Sequence, residues 1–441
     1  MAIQFHGFLP FYFLFFFSFL WLTCFSIHKP EGVGICSSVV QPVGYKCEEF
    51  EVTTEDGYIL GIQRIPEGRA GGNGTKRQPV LLQHGVLVDG ISWLLNSPEQ
   101  SLAYVLADNG FDVWIANTRG TRPSFRHVSL SPSDKVIALA IMQAYWAWSW
   151  DELAAHDLPA MIDFISKKTG QKLHYVGHSL VMTISFSFYR AHLLLFIPVF
   201  LSHGLMLQGT LIALASLSER REVDKMKSVA LLCPVAYLDH METPLGIVAA
   251  KVFLGEILSD WLGMPEFNLN NKKISNFLSK LCSANPGIDC NDLVISFTGN
   301  NCCLNASTVD VFLKYEPQPT SMKNMVHLAQ TFRDGILRKY DYGSNVTNFE
   351  RYGQHTPPVY NLSNIPNSLP LFLGHGGKDF LADVKDVEHL LDNLKFHDPD
   401  QLSVHYVQEY AHEDFVLGVS AKHMVYESVM TFLGITSNII F

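Results

Sequence analysis

The chain is short of basic residues. It holds 32 Lys and Arg against 42 Asp and Glu, a formal charge of −10, and its cations form no stripe. That balance argues against a nucleic-acid binder, which needs a basic face to neutralise phosphates. The chain also lacks a C-x-x-C pair with histidine partners, so no zinc spacing is present. No Lys or Arg precedes the first long apolar run, Phe8–Phe25. The run still reads as a secretory leader over residues 1–26, because it is Phe- and Leu-rich and gives way to small and polar residues near Ser26. A membrane anchor is the competing reading, since the length approaches the roughly 20 residues a span needs.

Two further signals agree with secretion. Four N-x-S/T sequons stand at Asn73, Asn305, Asn345 and Asn361, and such sites are glycosylated only in the secretory route. Past Cys24 of the leader, the cysteines are Cys36, Cys47, Cys233, Cys282, Cys290, Cys302 and Cys303. The close pairs Cys36/Cys47 and Cys282/Cys290 are candidate bridges in an oxidising compartment. The odd number leaves at least one thiol free or paired between chains.

Phe50–Ile65 alternates on either side of Asp56-Gly57, a hairpin signal. Pro79–Leu82 is a short apolar strand leading into Gln83-His84-Gly85-Val86. A helix over Leu102–Gly110 precedes a strand at Phe111–Ala116, and Ser149-Trp150-Asp151-Glu152 is a capping box opening a helix to about Ser166. Strand and helix alternate as in a mostly parallel sheet covered on both faces. Leu173, Tyr175 and Val176 end another buried strand, after which Gly177-His178-Ser179-Leu180 opens like a nucleophile elbow. That elbow is a strained strand-to-helix turn that exposes a serine Oγ, and Gly177 removes a Cβ that would collide there. The second small residue of G-x-S-x-G is missing, because Val181 stands in its place.

Eight segments resemble one family: Leu81–Leu87, Gly110–Thr121, Tyr145–Leu153, Val176–Ser179, Asn301–Ser307, Lys339–Gly343, Gly376–Asp379 and Tyr410–Phe415. Together they are similar to the acid lipases, the gastric and lysosomal enzymes of animals and the triacylglycerol lipases of plants, with the plant branch nearest. The resemblance implies an α/β-hydrolase fold. Its core runs over residues 27–238 and 366–441, and a helical cap and lid fill 239–365. Against the family, 136–143 and 181–208 are extra. Each begins with Val and ends with Gln, as translated intron borders do, and the longer one reads as an in-frame retained intron. Excising 181–208 restores G-H-S-L-G. With it in place, Val181 and a displaced Gly209–Ser218 predict a poorly active or poorly folded protein. A membrane span at 181–208 is the weaker reading, because Pro198, Arg190, His192 and His203 interrupt or flank its apolar part.

Ser179, Asp379 and His412 follow the order Ser…Asp…His of an α/β-hydrolase triad, each just past an expected strand. Those strands are expected at Leu369–Leu373 before Asp379 and at Leu402–Val407 before His412. Asp383 fits a helix N-cap better than a triad acid. His178 should diverge from Ser179, His84 should order the loop after its strand, and His375 precedes the Asp and breaks the order. By resemblance, the backbone N–H groups of Val86 and Leu180 form the oxyanion hole. The chemistry expected is lipid-ester hydrolysis at a membrane or droplet surface through an acyl-serine, with no metal or organic cofactor. An inactive or binding-only hydrolase fold is the alternative.

Overall fold

The computed structural model describes residues 34–71, 74, 76–130, 138–179, 208–238, 240, 265–268 and 298–435. The leader, Asn73, Leu180, Cys282, Cys290, most of the 181–208 insert and much of the expected cap lie outside these residues.

The polypeptide from Ile35 onward forms one compact unit. It opens with Cys36 and Cys47 joined in a disulfide. The expected hairpin is present as β1 (Glu48–Thr53) and β2 (Tyr58–Ile65), paired antiparallel. Next come β3 (Gln78–Gln83), β4 (Phe111–Ile115), β5 (Arg126–His127), β6 (Leu173–His178) and β7 (Met226–Leu232). The last strands are β8 (Glu266–Phe267), β9 (Thr320–Ser321), β10 (Leu371–Gly376) and β11 (Leu402–Val407).

One sheet runs β1-β2-β4-β3-β6-β7-β10-β11, with β5 beside β2. Every neighbouring pair from β4 across to β11 is parallel. Every residue of β4 and β6 is buried, as in a central parallel strand covered on both faces. The edge strands β1 and β11 keep exposed positions. Because these strands are parallel, the C-terminal ends of β3, β6, β10 and β11 share one rim. Ligands of such sheets bind outside that rim.

The capping box forms as expected. The Ser149 N–H donates to Glu152 Oε2 at 2.5 Å, and the Asp151 N–H donates to Ser149 Oγ at 3.3 Å. The strand expected at Leu369–Leu373 is shifted and runs on to Gly376, because β10 pairs with β11 as far as Gly376 opposite Val407. The glycines that read as loop instead let β10 pass close under Phe415 and Tyr410. Within the interval expected as a helical cap, β8 and β9 add a small antiparallel sheet. Cys302 and Cys303 are bonded to each other, and Cys233 is a buried free thiol.

The helix Gly209–Ser218 is not displaced to the end of an excursion. All ten of its residues are buried, and the Tyr175 hydroxyl donates to Gly209 O at 2.7 Å. A Cβ on Gly209 would overlap the His178 carbonyl oxygen and lie 2.8 Å from His84 O and 2.9 Å from Gln83 O. Gly209 therefore supplies the close approach that Val181 was expected to block. The helix is apolar all round, which is the pattern of a core helix. Burying each of Leu211, Ile212, Leu214 and Leu217 contributes about 1.5–3 kcal/mol, enough to hold the helix against the sheet despite the long connection.

Candidate active site

Ser179 follows β6 directly and is fully buried. Gly177, two residues earlier, lies against Tyr175 and against Gly209, whose carbonyl oxygen is 2.9 Å from where a Cβ would sit. Strand, serine and helix thus meet with only glycines between them.

Asp379 and His412 come together from the loops after β10 and β11. His412 Nδ1 lies 2.8 Å from Asp379 Oδ2, and both side chains are buried. The other carboxylate oxygen of Asp379 accepts from the Leu381 N–H at 2.8 Å and the Ala382 N–H at 2.9 Å. Burial pushes Asp379 upward. The charge of His412 and these hydrogen bonds outweigh it and hold the carboxyl below its ordinary range. A carboxylate on Nδ1 fixes the proton there and leaves Nε2 as an acceptor. Among the described residues, His412 Nε2 and Ser179 Oγ are both buried without a hydrogen-bond partner. One is a base and the other a hydroxyl, at the same rim of the sheet.

The rival residues fall elsewhere. Asp383 caps the helix Val384–Asn393, its Oδ1 accepting from the Lys385 N–H at 2.9 Å. The His178 Nε2 is engaged by backbone, donating to His412 O at 3.2 Å. Burial keeps it neutral, well below the ordinary histidine range. His375 lies on β10, 5.0 Å from the Tyr406 ring. His84 does order its loop. Its Nε2 accepts from the Thr118 N–H at 3.1 Å, so Nδ1 donates to Gly85 O at 2.6 Å. Burial lowers its pKa to about 4, so this tautomer persists at neutral and mildly acidic pH. Val86 follows, 1% exposed.

Three features of the site escaped sequence reasoning. Gln208 is buried at the entry to the elbow helix, where the sequence candidate was Leu180. The segment Thr298–Leu304 is a strap across the histidine loop. Thr298 O accepts the His412 N–H at 3.1 Å, Asn301 Oδ1 accepts the Glu413 N–H at 3.0 Å, and Gly299 bridges to Asp379. The buried Asp414 carboxylate ties strap to loop, accepting N–H bonds from Ala411, Cys302 and Cys303. Third, Glu316 accepts the Asp89 N–H at 3.0 Å beside the Val86 loop.

A mostly parallel sheet with serine, acid and histidine loops along one rim defines an α/β-hydrolase. A family profile described as a partial alpha/beta-hydrolase lipase region matches residues 36–97. Triacylglycerol lipase 2 of Arabidopsis thaliana is 55% identical over 402 residues, covering 90% of this chain and 87% of that protein. Human gastric triacylglycerol lipase is 36% identical, with 92% of each chain covered. A carboxyl esterase from Bacillus coagulans, solved in complex with glycerol, shares the fold at a TM-score of 0.52 and 10% identity, covering 88% of this chain and 97% of that one. The chain belongs to the acid lipase family of α/β-hydrolases, alongside the plant and gastric triacylglycerol lipases, a family of carboxylic ester hydrolases.

Proposed function

We propose that this protein hydrolyses carboxylic esters of lipids, triacylglycerols among them, through Ser179, His412 and Asp379. The observation that carries the reading is the buried Asp379–His412 pair, whose Nε2 is left unmatched at the same rim of the sheet as the buried, unmatched Ser179 hydroxyl. Ser179 Oγ attacks the ester carbonyl while His412 Nε2 takes its proton. Asp379 holds the imidazole tautomer and stabilises the imidazolium. The tetrahedral oxyanion is held by two backbone N–H groups, Val86 and the residue that enters the elbow helix. Gln208 is buried at that entry, directly before the Gly209 that abuts the His178 carbonyl, so we assign it the role alongside the Leu180 that the family resemblance implies. The alcohol leaves with the proton from His412. Water, deprotonated by the same nitrogen, then releases the acid from the acyl-serine.

The relatives' names and the apolar sequence of the cap favour long-chain esters presented at a lipid surface. Entry into the secretory pathway, ending outside the cell or in a vacuole, is supported by the exposed sequons Asn305, Asn345 and Asn361 and by the Cys36–Cys47 bridge. Among the described residues no helix is long and apolar enough to cross a membrane. The binding-only alternative is disfavoured by the seating of Gly209 behind Ser179.

The test is fatty-acid release from emulsified triacylglycerol by the purified full chain and its Ser179→Ala variant. Turnover should fall on the order of 10⁴-fold in the variant, with folding retained. Equal turnover would remove Ser179 from the mechanism.

A further inference from the structure

The loop that carries Val86 is held from outside by a second carboxyl site. Gln318 donates its N–H to Leu87 O at 2.8 Å, and Glu316 Oε1 accepts the Asp89 N–H at 3.0 Å. Asp89 accepts from the Ile91 N–H at 2.9 Å and pairs through Oδ2 with Arg122 at 3.0 Å. Arg122 donates its own N–H to Gln318 Oε1 at 2.9 Å. Leu87, between these anchors, has φ 56, a conformation that non-glycine residues adopt only when held.

Charge does not balance here if both acids ionise. The groups facing Glu316 are Asp89 from the loop after β3 and Arg122 from the turn after β4. On its own segment, Lys314 lies over the Tyr315 ring, and Arg122 reaches the same ring from the turn after β4. Arg122 is committed to Asp89. Glu316 Oε2 is fully buried without a hydrogen bond among the described residues; the Gln318 side chain and Arg122 favour the anion, but burial and the neighbouring Asp89 carboxylate oppose it more strongly. Burial first, then the charge of Asp89, raises Glu316 well above the ordinary carboxyl range. The two acids share their protons as a pair.

We propose that Glu316 is a positioning residue for the loop Val86–Asp89 and works as the neutral acid, so that its ionisation releases the loop and sets the alkaline limit of turnover. The proposal rests on the reading of Val86 as an oxyanion donor. The sign follows from the raised pKa. A carboxyl raised on folding contributes stability that is present in acid and lost as pH rises through its folded value.

The test measures kcat and KM against pH on a soluble short-chain ester, together with Tm against pH, for the full chain and three variants. Glu316→Gln keeps the acceptor and stays neutral. It should retain acid-side kcat, move the alkaline limb up by about one pH unit or more, leave KM unchanged and flatten the alkaline fall in Tm. Asp89→Asn removes the opposing charge and should flatten the same limb. Glu316→Ala loses the acceptor and should lower kcat about tenfold at every pH, as small displacements of catalytic donors do. Superimposable wild-type and Glu316→Gln profiles would overturn the proposal, as would acid-side loss in Glu316→Gln equal to that in Glu316→Ala. Should the wild type hydrolyse no ester, the lipase reading fails, and the Tm comparison alone decides the ionisation of Glu316.

Discussion

Asp379 and Asp383 stand four residues apart and do different work. Asp379 faces His412 at 2.8 Å from inside the protein, and Asp383 caps a helix at the surface. Replacing Asp379 with Asn keeps the shape but presents an N–H where the imidazole needs an acceptor, so the tautomer is lost. Turnover should drop on the order of 10⁴-fold, with little change in melting. Asp383→Ala should do the reverse, costing about 1 kcal/mol of stability with turnover kept. Steady-state kinetics and thermal melts on the two variants separate these roles, and the opposite ranking would move the triad acid to Asp383. The histidines sort by the same logic. His84 and His178 are buried and held neutral by desolvation, so each keeps its single N–H for ordering backbone and takes up no second proton.

At the scale of elements, the elbow is built from two stretches of chain that are far apart in sequence. Strand β6 delivers Ser179, and the helix Gly209–Ser218 closes behind it. The contact depends on Gly209, whose missing side chain leaves room for the His178 carbonyl. Gly209→Ala would force backbone against backbone, because no flexible side chain is there to give way. A cost of about 1–3 kcal/mol is expected, together with a fall in kcat on the order of 10²-fold from a displaced nucleophile. A melt and a turnover measurement check this, and wild-type values for both would show that the helix does not abut the elbow. The motif is broken in sequence and whole in space, because the residue next to Ser179 in the chain is not the one that packs behind it. Gly209 recovers its place through apolar burial of the helix it begins. Nothing local to Val181 signals that outcome.

For the whole molecule, the order of the parallel strands brings the loops after β3, β6, β10 and β11 to one rim. What was legible in sequence follows from local patterns: alternation gave the hairpin at Asp56-Gly57, the capping box gave the helix after Ser149, and strand ends placed Ser179, Asp379 and His412. What was not legible depends on distant contacts. Asp89 and Glu316 are 227 positions apart, and Cys302 and Asp414 are 112 apart. No periodicity announces such pairs. Those contacts brace the same rim: the strap Thr298–Leu304 fixes the histidine loop, and Glu316 fixes the loop of Val86.

The central claim is that this rim holds a single activated serine, Ser179. The most direct measurement is intact mass, with peptide mapping, after exposing the folded full chain to a serine-directed fluorophosphonate, which forms a stable adduct only with an activated hydroxyl. One phosphonyl group per chain is expected, on the peptide containing Ser179. The adduct should be absent from Ser179→Ala and slowed by orders of magnitude in His412→Ala. A folded chain that takes no label, or an adduct on another serine that persists in Ser179→Ala, would contradict it.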